Sequence, residues 1–103
     1  MIEIVLKQKG NRISGFSVKG HSNLDKKGKD IVCAAVSSLT ETAILGLGNH
    51  LKRDVEYKVD SGDLFVNLLD EPDELTDAVL QTMLLGLREI ERLYPKIVEI
   101  KAR

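Results

Sequence analysis

Between Gly20 and Leu39 the chain reads GHSNLDKKGKDIVCAAVSSL, and this stretch gathers the side chains best able to do chemistry. Cys33 is the one cysteine in the sequence. If Asp30 caps a helix, Cys33 becomes the third residue of its first turn. There the unpaired backbone N–H groups and the positive end of the helix dipole stabilise a thiolate. Cys33 is offset from the apolar stripe of that helix, and the residues one and two turns further along are Ser37 and Thr40. The thiol therefore faces a polar flank. His21 stands at the end of a strand, across a short loop from Cys33. That arrangement can bring an imidazole within hydrogen-bond reach of a thiol, as a base-activated nucleophile requires. The loop from Ser22 to Lys29 contains Gly28 and four charged residues, which suits a mobile lid. Against this stands the ordinary role of a lone helical cysteine as a small buried hydrophobe, and of a histidine after glycine as a turn residue. Spacing alone leaves both open.

These residues need elements to hold them. Ile2, Ile4 and Leu6 alternate as the inner face of a strand. Lys9-Gly10-Asn11-Arg12 then turns the chain into a second strand from Ile13 to Lys19. Ile13 is out of step with Phe16 and Val18, so a β-bulge is expected at Gly15. Gly20 to Lys29 reads as a loop. Val32, Val36, Leu39, Ala43 and Leu47 recur at helical spacing, and Gly48-Asn49-His50 suits the end of that helix. Val55, Tyr57 and Val59 alternate before the turn Asp60-Ser61-Gly62-Asp63. Leu64, Val66 and Leu68 alternate after it, giving a hairpin. Pro72 is placed in the first turn of a second helix, within the acidic run from Asp70 to Glu74. Leu75, Val79, Met83, Leu87, Ile90 and Tyr94 form its expected buried stripe. Pro95 stops it, and Ile97 to Ile100 form a last strand. The fold class is α+β, a mostly antiparallel five-stranded sheet with two helices in the order ββαββαβ.

Composition sets the outer bounds. The 103 residues suit one domain spanning 1–103. With two Phe, two Tyr and no Trp, the core must be aliphatic. Fifteen Lys and Arg against 16 Asp and Glu leave a net charge of -1, which gives no global reason to coat nucleic acid or an anionic membrane. One cysteine excludes an intramolecular disulfide and any zinc site built from several thiolates. A metal site on His21, Cys33 and carboxylates needs more ligands than the sequence gathers, so no metal and no cofactor are expected. No signal peptide is evident at the start, and no apolar run is expected to span a bilayer. A cytoplasmic location with a reduced thiol follows. Val5, Phe65 and Val98 fall out of phase with the inward alternation of their strands, which points to apolar surface left for a homodimer.

Gly20-His21, a short loop, and Asp30-Ile31-Val32-Cys33-Ala34-Ala35-Val36-Ser37 together resemble the signature of the ribosomal-processing cysteine protease (Prp) family. The resemblance extends over essentially the whole chain, with Ser22 where many relatives have Ala. It implies a catalytic dyad of His21 and Cys33, and Gly20, Asp30 and Ser37 are placed as its supporting residues. It also implies a homodimer that removes a short N-terminal extension from the precursor of large ribosomal subunit protein twenty-seven. Asp30 then either caps the helix or orients His21. The alternative is a non-catalytic adaptor that binds a ribosomal protein or ribosomal RNA. The near-neutral charge and the lack of exposed-aromatic patterning speak against RNA.

Overall fold

The computed structural model of the protein describes residues 1–20, 29–60 and 62–102. The elements run β1 (Ile2–Lys9), β2 (Arg12–Lys19), α1 (Lys29–Leu45), a wider π-helical turn (Gly46–His50), β3 (Val55–Asp60), β4 (Asp63–Leu68), α2 (Glu74–Leu93) and β5 (Val98–Ala102). The order is the expected ββαββαβ. The strands lie side by side as β3-β4-β2-β1-β5, all pairs antiparallel except β1 with β5. The sheet is thus mixed rather than purely antiparallel, because the chain returns through α2 before laying β5 beside β1.

One face of the sheet carries the core. Ile2, Ile4 and Leu6 of β1 and Phe16 and Val18 of β2 are buried in one cluster with Val32, Val36 and Leu47 from the first helical run and Leu80, Met83 and Leu87 of α2. The α1 stripe is the one expected, with Leu39 packed partly buried against it. Ile31–His50 is long and apolar enough by length and composition to cross a membrane, contrary to the expectation from the sequence. Its apolar side chains do the work of a core helix here, lying against the sheet.

The bulge is real and sits at Ser14. Lys7 pairs with Gly15 while Gln8 pairs with Ile13, so Ser14 has no partner across β1. That extra residue returns Ile13 to the inner face beside Phe16, and both are fully buried. The Ile13 amide donates to Asp77 Oδ1 of α2 at 3.0 Å. Gly15 is needed because a Cβ there would lie 2.6 Å from the Val66 carbonyl oxygen.

Four expectations shift. Helix α1 begins at Lys29, so Asp30 is a helical residue rather than its cap, and Lys29 belongs to the helix rather than the loop. Pro72 precedes the cap of α2. Asp73 is that cap, accepting from the amides of Leu75 and Thr76, while the Thr76 hydroxyl receives the Asp73 amide. The buried face of α2 is Thr76, Leu80, Met83 and Leu87, with Leu75 57% exposed and Tyr94 also exposed. Met83 and Leu87 of the expected stripe are buried and Val79 and Ile90 pack against the core, so only its two ends, Leu75 and Tyr94, fall outside, while Thr76 and Leu80 join it. Finally, β5 runs from Val98 to Ala102, and Val98 is a core residue, 1% exposed and paired with Ile2. The open face of the sheet keeps only Val5 and Phe65 as apolar residues out of phase, on either side of Ser17.

Candidate active site

Cys33 is the fifth residue of α1 and is partly buried against the core cluster. Helical side chains lean toward the N-terminus of their helix, so the thiol lies over the preceding turn. The i→i−4 pattern directs the Cys33 N–H to the Lys29 carbonyl. The unclaimed donors of this helix end are therefore the amides of residues 29–31 rather than that of Cys33. This corrects the expected first-turn position, since Cys33 stands one turn inside the start of α1.

Cys33 lines a cavity of about 230 Å³ between α1 and the strand ends. Ser37 and Thr40 line it along the same helix flank, as the spacing predicts. Their roles differ. Ser37 is exposed, whereas Thr40 is fully buried and its hydroxyl donates back to the Val36 carbonyl at 2.8 Å. The Thr40 hydroxyl is thus engaged by its own helix, and Ser37 is the one that faces the opening. Glu41, one residue beyond Thr40, also reaches the cavity, a position sequence reasoning missed. A single acid on an exposed helix face carries no signal that distinguishes it from a solvated residue.

The opposite wall comes from the end of β2 and the β3–β4 hairpin. Gly20 lines the cavity, with φ at +99°. Its amide donates to the Gly62 carbonyl at 3.1 Å, fastening the end of β2 to the hairpin turn. A Cβ at Gly20 would collide with the Met1 carbonyl oxygen. Gly20 is therefore required both by backbone conformation and by close approach. Asp60 and Asp63 complete this wall. The Lys58 ammonium donates to Asp63 at 2.8 Å and holds its carboxyl below the usual range, while that hydrogen bond raises the lysine.

His21, the residue after Gly20, and residues 22–28 of the lid expected from Ser22 to Lys29 lie outside the described residues, as does the side chain of Asp30. Among the sequence-predicted site residues, Gly20, Cys33 and Ser37 come together on one cavity. Among the described residues no three His, Cys, Asp or Glu side chains cluster as a metal site would need.

Four similarities bear on this site. The family model for cysteine protease Prp matches residues 1–99. The ribosomal processing cysteine protease Prp of Staphylococcus aureus is 28% identical over 102 residues, spanning 96% of this chain and 94% of the relative. The crystal structure of an essential ribosomal processing protease Prp from S. aureus, in complex with a covalently linked product peptide, has the same fold. It superposes with a TM-score of 0.88 at 22% identity over the full length of both chains. A Streptococcus mutans protein of 25% identity superposes at a TM-score of 0.87 over 99% of this chain and 93% of that one.

Proposed function

The chain belongs to the cysteine protease Prp family, and from that premise we propose that it removes the N-terminal extension from the precursor of large ribosomal subunit protein twenty-seven, using Cys33 and His21 as a dyad. The observation that carries this reading is the place of Cys33. The one thiol of the chain sits near a helix start on the wall of a cavity whose other side is the strand end leading into His21. The S. aureus relative, crystallised with a covalently linked product peptide, supports covalent chemistry for the family.

In this mechanism His21 takes the proton of the Cys33 thiol, and the thiolate attacks the scissile carbonyl carbon. The amides of residues 29–31, at the unsatisfied end of α1, supply hydrogen bonds to the oxyanion. Collapse of the tetrahedral adduct breaks the C–N bond, and His21 returns the proton to the departing amine. Water then attacks the thioester and regenerates the thiol. Ser37 is positioned to hydrogen-bond within the opening, and Gly20 fixes the strand end from which His21 follows. The enzyme acts in the cytoplasm as a homodimer.

The test is a rapid quench of enzyme mixed with the extended precursor, followed by intact mass measurement and peptide mapping. A thioester is expected on Cys33, adding the mass of the released extension less one water. Trimming with no adduct at any quench time, or an adduct on another residue, overturns the assignment of the nucleophile.

A further inference from the structure

Strand β3 is poorly covered by the helices it faces. Val55, Tyr57 and Val59 point to the core side of the sheet, yet Tyr57 is 60% and Val59 43% exposed. A cleft of about 200 Å³ separates them from the first helix, with Ile44, Leu45 and Gly48 on its helical wall and Val55, Tyr57 and Val59 on its strand wall. Glu41 and Val59 line both this cleft and the Cys33 cavity, so the two hollows adjoin at the end of β3. β3 is also the outermost strand on that side, and its far edge has no strand beside it among the described residues. An edge of this kind, with apolar side chains exposed next to it, is a template for strand addition.

Resting on the reading of Cys33 as a protease nucleophile, we propose that β3 and the cleft beside α1 form the subsite that grips the substrate. An extended peptide adds as a strand along the free edge of β3. Its apolar side chains, at every second position, seat against Tyr57, Val59 and Ile44, while the scissile bond lies in the adjoining Cys33 cavity. Six residues of β3 at about 3.3 Å each give a platform of about 20 Å, long enough for two or three alternating side chains. The recognised chemistry is thus an apolar residue at alternate positions on one side of the cut. Adjacency to the Cys33 cavity favours a substrate peptide over a second copy of the chain, which would cover the approach to the thiol.

The experiment uses Cys33→Ala protein and a labelled peptide spanning the cleavage junction of the ribosomal precursor, read by fluorescence anisotropy and amide hydrogen exchange. Amides of residues 55–60 are expected to slow on peptide addition, and Tyr57→Ala in the same background to weaken binding about tenfold. In the active enzyme Tyr57→Ala is expected to raise KM with kcat little changed. Peptide binding that leaves residues 55–60 exchanging as before, or an unchanged Kd in Tyr57→Ala, overturns the docking site. Protection of β3 that grows with protein concentration in the absence of peptide overturns it in favour of a second copy. Cleavage by the wild type without protection of β3 defeats this subsite and spares the protease reading. Protection of β3 by a peptide that the wild type never cleaves does the reverse.

Discussion

At Cys33 a one-residue offset from the buried stripe decides the chemistry, since Val32 is buried while its neighbour reaches a cavity. That offset was legible in the sequence because helical periodicity assigns faces directly. Glu41 was not, because nothing in a lone exposed acid announces the hollow formed by a distant hairpin. With His21 as base, His21→Ala is expected to lower kcat by about 10²–10⁴-fold. It should also slow alkylation of Cys33 by iodoacetamide at neutral pH, and an unchanged alkylation rate would detach the histidine from the thiol. Gly20→Ala tests the strand end. Its positive φ and the collision with the Met1 carbonyl are expected to cost about 1–3 kcal/mol in urea unfolding, with turnover reduced as His21 is displaced. Wild-type stability in that variant would show that the backbone relaxes freely there.

Elements followed from pattern where burial is continuous, and departed from it where a cap or a partner strand decides. The stripe of α1 was readable because one face of that helix is apolar from Val32 to Leu47. On α2 the middle of the stripe was readable in the same way, from Val79 through Met83 and Leu87 to Ile90, while its ends Leu75 and Tyr94 are exposed. Asp73 sets the start of that helix through its capping box with Thr76. The hydrogen bond from the Thr76 amide, with help from Arg53, holds the Asp73 carboxyl below its ordinary 3.8. A carboxyl depressed on folding stabilises the native state above its unfolded value, and that stability is lost as pH falls through the folded value. Asp73→Ala is therefore expected to lower Tm by several degrees near pH 6, and the part of the deficit due to charge should shrink as pH falls below the ordinary 3.8. A deficit of constant size across that range would remove the charged cap from the account. The parallel partner of β5 was not legible, because a five-residue strand carries no mark of the neighbour it will join.

At the scale of the molecule, two helices lie on one face of the sheet and the other face is left to charged residues around Val5 and Phe65. A second apolar surface, not visible from strand phase, is the cleft of about 500 Å³ between α1 and α2 lined by Leu39, Ala43, Val79 and Met83. Val5 is itself covered by its neighbours, so this cleft is the apolar surface that supports the proposed homodimer. Sedimentation at about 50 µM is expected to give a dimer, and a lone monomer boundary would contradict it. Such symmetry would add nothing to the chemistry unless the thiol does the cutting. The most direct measurement is therefore the trimming rate of the extended ribosomal precursor by Cys33→Ala beside the wild type, with circular dichroism to confirm that both are folded. The side chain is small and only partly buried, so the variant should keep its fold and lose cleavage altogether. A folded Cys33→Ala protein that trims the precursor at the wild-type rate would contradict the account.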